Sequence, residues 1–360
     1  MTVPPEVHTW AEIDLTAIRH NVDVVRQRIG PAAGIVAVVK ANAYGHGARP
    51  VVEALAGDVD FFGVANLGEA REIADLGRDI LLLSPALPAE RREVVACGFI
   101  ATVSSVAEAA EFRGGRVNLK IDTGMGRIGC WQEEALKTVA ILAQMPEVVL
   151  HSISTHLPSA DEDAAFTREQ LETFAALSAE FRRLAPGARI HALASGGILE
   201  FPTHAHDLVR PGLMLYGSAY PAQHQALLRP ALTWKTRVLL VRDVGPGRSV
   251  SYGRTYFTNR PSRIAALGVG YADGYPRQAS NRGAQVLING RRCPVVGRVT
   301  MDQILVDVTG MENVHPGSEA VLIGRQGLEE ILARDLADQA ETIAWHIFTG
   351  LGPRVKRVYL

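Results

Sequence analysis

The sequence has little cysteine, and its cysteines form no motif. Cys97, Cys130 and Cys293 are far apart and odd in number, and no Cys/His spacing typical of a zinc site occurs. A disulfide framework and a metal site are therefore not expected. No run approaches the ~18 apolar residues of a membrane span, and the N-terminal segment lacks the basic start and apolar stretch of a secretory signal. We therefore expect no membrane partner and a cytoplasmic location.

An excess of charge of one sign is also missing. The net charge is −1, with acidic and basic residues interspersed, so nucleic acid is not an expected partner. Hydrophobic residues make up 47% and charged residues 21%, which is the balance of an ordinary globular protein. A length of 360 residues favours two domains.

Eight apolar, β-type runs alternate with helical segments in the first 230 residues. The runs begin near Gly34, Asp60, Ile80, Phe99, Val117, Val148, Arg189 and Asp207. Most do not alternate in polarity, as expected of parallel strands that are buried on both faces. Eight βα units predict an α/β fold, a (β/α)8 TIM-type barrel, over residues 1–230. A doubly wound open sheet is the alternative, although no G-x-G-x-x-G follows the first strand.

The pattern of predicted secondary structure changes after Pro230. Short β-type runs are separated there by Gly, Pro and Asn turns, and only residues 328–340 and roughly 343–351 have a helical pattern. We therefore predict a mostly β C-terminal domain over residues 231–360.

Reactive and anion-binding residue types follow the predicted barrel strands, at the end where barrel enzymes have their active sites. They are Lys40, Lys120, Asp122, Arg127, His156, Ser195, Arg210 and Gly212. A lysine pressed against an apolar core loses solvation of its charged form and becomes a nucleophile. By pattern alone Lys40 could equally be a lysine that extends to the solvent at the rim, and His156 a hydrogen-bonded core histidine. The small residues at Ser195 and Gly212 suit a phosphate.

Seven segments together resemble the alanine racemase family. In chain order they are VVKANAYGHG (38–47), DTGMGR (122–127), TH (155–156), RPGLMLYG (210–217), VSYG (250–253), GYADGYPR (270–277) and GRVTMDQ (297–303). The resemblance spans nearly the whole chain and implies a barrel followed by a β domain, assembled as a homodimer with shared active sites. It also implies pyridoxal 5'-phosphate as cofactor and an amino acid as substrate.

The resemblance implies a two-base racemisation of alanine, which supplies D-alanine for peptidoglycan. Lys40 would hold the cofactor as a Schiff base (the resting aldimine) and move a proton on one face of the substrate. Tyr271, from the partner subunit, would act on the opposite face. A phenol is a poor base at neutral pH, so its surroundings would have to stabilise the phenolate.

The remaining site residues are also taken from the resemblance. Arg210 would face the pyridine nitrogen with His156 beside it, and Tyr44, Ser195 and Gly212 would bind the phosphate. Arg127 and the backbone N–H of Met301, the latter from the partner, would bind the substrate carboxylate. Lys120 matches a lysine that is carbamylated in several relatives and supports the arginine.

Three departures from the family pattern bear on specificity. Ala194 stands where an asparagine is usual, Pro353 where a tyrosine is common, and Thr300 where cysteine is frequent. Loss of an amide and a phenol leaves more room, which makes a serine or broad-specificity racemase the alternative function. Two further rivals are a barrel decarboxylase for basic amino acids and a non-catalytic pyridoxal-phosphate carrier.

Overall fold

The computed structural model describes residues 3–360. By their contacts these residues form two compact units. One comprises residues 17–43 and 47–229, and the other comprises residues 3–16, Tyr44–His46 and Pro230–Leu360. We call them the barrel unit and the β unit.

The strands are numbered in chain order, and β1 (Thr9–Ile13) precedes the barrel. The next nine are β2 (Gly34–Val38), β3 (Phe61–Val64), β4 (Ile80–Leu82), β5 (Ile100–Val103), β6 (Arg116–Asp122), β7 (Cys130–Trp131), β8 (Val149–Ser154), β9 (Arg189–Ala194) and β10 (Leu208–Arg210). All of them except the two-residue β7 run side by side in the order β5-β4-β3-β2-β10-β9-β8-β6. Parallel pairing of β5 with β6 closes the ring. The predicted eight-stranded barrel is confirmed.

Helices connect most of the barrel strands. The α-helices of the barrel unit span Leu15–Ile29, Ala48–Leu55, Leu67–Ile73, Arg91–Ala96, Val106–Ala110, Gln132–Leu142, Ala164–Leu184 and Ser195–Glu200, and the 3-10 helices Ala74–Leu76, Pro202–His204, Leu213–Tyr216 and Ala222–Leu227. The first helix begins where the Asp14 carboxylate accepts the Thr16 N–H at 2.8 Å, and it ends at Gly30, which has φ +76°.

The β unit is built around one long strand. Its strands are β11 (Leu232–Val244), β12 (Ser249–Val250), β13 (Tyr256–Phe257), β14 (Ser262–Leu267), β15 (Gln285–Ile288), β16 (Arg291–Pro294), β17 (Ile304–Asp307), β18 (Glu319–Gln326), β19 (Glu329–Ile331) and β20 (Lys356–Tyr359). The order of the main sheet is β16-β15-β18-β11-β1-β20, with β14 also paired to β11 and β17 to β14. Buried and half-buried positions alternate along the first half of β11, as in a sheet with one face on the core. The helices span Ala333–Gln339 and Ala344–Thr349, with 3-10 turns at Tyr252–Arg254 and Arg277–Ala279.

Two features of the β unit differ from the sequence expectation. Strand β1, counted above with the barrel, pairs antiparallel with β11 and parallel with β20, so residues 3–16 lie in the β unit. The helix expected over 328–340 is shorter, because β19 occupies its start and pairs with β18. In the part of the chain that the structure describes, no helix has the length and apolar character to cross a membrane.

Candidate active site

Lys40 follows β2 at the carboxyl end of the barrel and enters an unusual turn. The four residues Ala41–Tyr44 all have φ between +51° and +53°, the left-handed region that L-residues seldom adopt. The Glu69 carboxylate stabilises the turn, since it accepts the Ala41 N–H at 2.8 Å and also the Ala65 N–H at 2.7 Å. The turn therefore directs the chain sharply away from the strand immediately after Lys40.

The electrostatic surroundings of Lys40 favour its neutral amine. Burial lowers the pKa of Lys40 below its ordinary 10.5, and the nearby Arg127 lowers it further, while Glu69 opposes both. The lowered pKa is in the direction that a nucleophilic lysine needs.

Lys120 and Arg210 donate to one backbone oxygen. Lys120 Nζ lies 3.0 Å and Arg210 Nη2 lies 2.7 Å from the carbonyl oxygen of Thr155, at the end of β8. Burial, together with Arg210 and Arg127, lowers the pKa of Lys120 well below 10.5, with only Asp122 in opposition. Burial also lowers the pKa of Arg210, to about 10, which leaves it a cation at neutral pH.

Two neutral histidines flank Arg210. Its Nη1 donates to His191 Nδ1 at 2.5 Å, and its Nη2 lies 3.4 Å from His156 Nδ1. Burial and the neighbouring cations lower the pKa of both histidines well below 6.5. His191 was not among the candidates from the sequence, although it lies two residues after the start of β9 and its register places it beside Ser154 of β8.

Arg127 lies on an exposed loop that a single carboxylate shapes. Asp122 Oδ1 accepts the N–H groups of residues 124, 125 and 126, and its Oδ2 accepts the Arg127 N–H at 3.1 Å. Burial by itself would raise the pKa of Asp122, but these four donors lower it below its ordinary value. Asp122 thus shapes the loop through its hydrogen bonds, and its negative charge also opposes part of the lowering of the Lys120 pKa.

Ser195 and Gly212 lie together after β9 and β10. Ser195 Oγ accepts the Gly212 N–H at 3.0 Å and the Met214 N–H at 3.2 Å. The hydroxyl hydrogen of Ser195 therefore points away from these two donors and is available to an oxygen of a ligand. Tyr44, the third phosphate candidate, belongs by its contacts to the β unit and is 7% exposed.

Tyr271 and Met301 lie side by side in the β unit. The Tyr271 N–H donates to the Thr300 carbonyl, and the Ala272 N–H to the Met301 carbonyl, both at 3.0 Å. The two residues are 42% and 52% exposed, respectively. The structure thus joins these two candidates into one exposed surface.

The barrel unit has the character of a barrel enzyme that binds an anionic ligand. Lys40, Lys120, Arg127 and Arg210 bring four basic groups to the carboxyl ends of its strands, where such enzymes have their sites. The carboxylates beside them, Asp122 and Glu69, are both hydrogen-bonded to backbone N–H groups. An anion is therefore the ligand that would balance the guanidinium charges of Arg127 and Arg210.

Comparison with known proteins identifies the family. The alanine racemase N-terminal domain model matches residues 13–220, and the alanine racemase C-terminal domain model matches residues 231–359. The chain belongs to the alanine racemase family. This membership confirms the resemblance found in the sequence and, with it, the expected enzyme class of amino-acid racemases.

Individual relatives match over almost their full lengths. The chain is 41% identical to an alanine racemase of Halothermothrix orenii over 367 residues (98% of this chain and 96% of that protein), and 44% identical to one of Symbiobacterium thermophilum over 371 residues (98% and 97%). Among solved structures, alanine racemase from D-cycloserine-producing Streptomyces lavendulae has a TM-score of 0.90 at 36% identity and covers 100% of this chain and 98% of its own. Alanine racemase from E. faecalis has a TM-score of 0.91 at 32% identity with full coverage of both chains.

Proposed function

We propose that the protein is an alanine racemase that interconverts L- and D-alanine with pyridoxal 5'-phosphate, and that it supplies D-alanine for peptidoglycan in the cytoplasm. The observation that carries the proposal is the group of basic side chains around Lys40, in a chain of this family. The names of the relatives support alanine as the substrate.

The barrel site fits the proposed cofactor. Pyridoxal phosphate and an amino acid bring a phosphate and a carboxylate, and the guanidinium groups of Arg127 and Arg210 would balance part of these charges. Lys40 would hold the cofactor, because its lowered pKa makes the amine nucleophilic. The hydroxyl of Ser195, the backbone at Gly212 and Tyr44 are the proposed phosphate ligands. When bound, the cofactor supplies the electron withdrawal that makes the substrate Cα–H acidic.

Arg210 is proposed to face the ring nitrogen of the cofactor. A guanidinium has donors only and does not deprotonate, so it favours an unprotonated ring nitrogen. His191 Nδ1 and the carbonyl oxygens of Thr155 and Ala192 already hold the guanidinium in one orientation. His156 would pack beside the ring, and its low pKa keeps it uncharged.

The chain's own residues would move the proton and bind the carboxylate. Lys40 Nζ would take or return the proton on one face of Cα, and the Tyr271 hydroxyl on the other, since inversion needs a group on each face. The planar fork of Arg127 suits the substrate carboxylate. The Met301 N–H would complete its binding.

We further propose that Tyr271 and Met301 act in the site of a second copy of the chain. Their loops pack on each other and leave both side chains exposed in one chain. In a homodimer, the loops of each protomer would enter the active site of the other, which would cover Tyr271 and Met301 and complete both sites.

A broader amino-acid racemase, active on serine, is the second candidate. Ala194 pairs in register with Arg210, so the small side chain lies beside a proposed cofactor ligand. The missing amide at this position would leave room for a larger substrate, and so would the replacement of a common tyrosine by Pro353. A kcat/KM for serine far below about one hundredth of that for alanine would exclude this candidate.

The decisive experiment pairs the visible absorption of the purified protein with chiral analysis of L-alanine and L-serine after incubation. A cofactor band together with D-enantiomer supports the proposal, whereas the band without racemisation favours a carrier or a decarboxylase. If no band appears after addition of pyridoxal phosphate, Lys40 does not hold the cofactor.

A matched variant tests the second base. Tyr271→Phe keeps the ring but removes the hydroxyl, so racemisation should fall by roughly 10²- to 10⁴-fold while the cofactor band persists. A carrier would be unaffected by this change, and unaltered racemisation would exclude Tyr271 as the base.

A further inference from the structure

One guanidinium joins the two loops that carry Tyr271 and Met301. Arg354 donates from Nε and Nη2 to the two carboxylate oxygens of Asp273, at 2.9 and 3.0 Å, and from Nη1 to Asp302 Oδ1, at 2.9 Å. Asp273 lies two residues after Tyr271, and Asp302 directly follows Met301. We propose that Arg354 is the positioning residue that fixes these loops relative to each other, an inference that rests on the proposed function.

The backbones of the two loops also contact each other directly. Two backbone hydrogen bonds join them, from the N–H groups of residues 271 and 272 to the carbonyls of residues 300 and 301. Gly270 packs so tightly on the second loop that a Cβ there would lie 2.3 Å from the Met301 carbonyl oxygen. The relative position of Tyr271 and Met301 therefore depends on a narrow contact that a small displacement would disturb.

Asp273 connects the Arg354 guanidinium to the turn that contains Tyr271. Its carboxylate is almost fully buried, and its Oδ2 also accepts the Gly270 N–H at 2.9 Å across the turn. Its carbonyl oxygen accepts the Gly352 N–H at 2.9 Å, two residues before Arg354. Removal of Arg354 would leave a buried carboxylate without its cation.

Asp302 on the other loop is much more exposed, and its side chain retains 59% of its accessible surface. The hydrogen bond from Arg354 is the contact that relates this exposed side chain to Asp273 through a shared guanidinium. A lysine could not replace this arginine, because one ammonium cannot bind both oxygens of Asp273 and reach Asp302 in the same plane.

Arg354→Lys is the test variant, and Arg292→Lys is the matched control. Arg292 on strand β16 makes a half-exposed ion pair with Glu329 in the same unit, and its hydrogen bonds go to Gln285, Glu329 and Glu330, outside both loops. Hydrogen exchange of the cofactor-free full-length protein is followed by mass spectrometry in peptides that contain residues 270–273 and 299–303. We expect exchange in these peptides to become roughly tenfold faster in Arg354→Lys, and to stay unchanged in Arg292→Lys.

Steady-state racemisation of alanine by the holoenzyme provides the second readout. Arg354→Lys should lower kcat and raise KM together, since Tyr271 and Met301 both shift, whereas Asp302→Asn should act mainly on KM, since it loosens the Met301 side alone. A purely structural arginine would lower thermal stability without this difference between the two variants.

The outcomes separate the inference from the proposed function. Unchanged exchange in Arg354→Lys overturns the positioning role, and so does faster exchange with unaltered racemisation. If the wild-type protein does not racemise alanine, the proposed function fails, and the link between the loops is then decided by the exchange data alone.

Discussion

Lys40 is the residue whose protonation should control loading of the cofactor. Only the neutral amine is a nucleophile, and the lowered pKa of Lys40 means that this form appears at a lower pH than in an ordinary lysine. Uptake of pyridoxal phosphate by the apoprotein should therefore rise with pH, with a midpoint below 10.5. Stopped-flow absorbance across a pH series measures that midpoint.

Two variants should move the midpoint in opposite directions. Arg127 lowers the pKa of Lys40 and Glu69 raises it, so Arg127→Met should shift the midpoint upward and Glu69→Gln should shift it downward. Arg127→Lys keeps the charge and serves as the control that leaves the midpoint in place. Shifts of the same sign in the two variants would show that the charges around Lys40 do not set its pKa.

Lys120 is a second lysine whose surroundings favour chemistry at the amine. Its pKa is lowered well below 10.5, so a neutral amine is available to react with carbon dioxide. The nitrogen forms a bond to the carbon of carbon dioxide and loses a proton, which gives a negatively charged carbamate. Arg210 and Arg127 would stabilise this negative charge. We predict this modification of Lys120. Native mass spectrometry in ¹³C-labelled bicarbonate should show one labelled addition.

The assignment to Lys120 is tested by two lysine replacements. Lys120→Met should abolish the addition, whereas Lys137→Met, on the exposed face of the helix Gln132–Leu142, should keep it. A wild-type mass that does not respond to bicarbonate would contradict the prediction.

Among the elements, the left-handed turn after β2 has the clearest energetic cost. Ala41 is exposed and adopts φ +51°, a conformation that is unfavourable by roughly 1–2 kcal/mol for an L-residue and almost free for glycine. Ala41→Gly should therefore raise the free energy of unfolding of the apoprotein by up to about 1 kcal/mol in urea titrations.

The matched change in a right-handed helix should have the opposite sign. Ala176 is exposed in the middle of the helix Ala164–Leu184, and Ala176→Gly should lower the free energy of unfolding by about 1 kcal/mol. Destabilisation by both substitutions would mean that the turn at Ala41 is not strained.

The elements that the sequence predicted well are those whose signal is local. All eight barrel strands were found, because buried parallel strands have continuous apolar runs bounded by turns. The five-residue β1 was missed as a strand of the β unit, since its partners β11 and β20 are more than 200 residues away in the chain. A short segment does not indicate which distant edge it will join.

The sequence predicted those site residues that lie at the carboxyl ends of the barrel strands. Lys40, Lys120 and Arg210 were identified from that position, and the structure couples them electrostatically. Glu69 and Arg354 were not, because their roles depend on contacts with backbone or carboxylates far along the chain. Charged residues in such positions are common in any sequence, so only the fold distinguishes them.

At the scale of the whole molecule, the proposed dimer predicts complementation between two inactive variants. Lys40→Ala removes the base from the barrel unit and Tyr271→Phe removes it from the β unit, so each homodimer should be inactive. If every site combines Lys40 of one protomer with Tyr271 of the other, each hybrid dimer has one site with both bases and one site with neither.

Random reassociation of equal amounts makes about half of the dimers hybrids, and half of the sites in each hybrid are complete. Racemisation should then recover to roughly a quarter of the wild-type rate. Mixing Lys40→Ala with the double variant that carries both substitutions is the control, and it should recover nothing. If the hybrids form by native mass spectrometry and the first mixture still stays inactive, Tyr271 serves its own chain and the shared site is wrong.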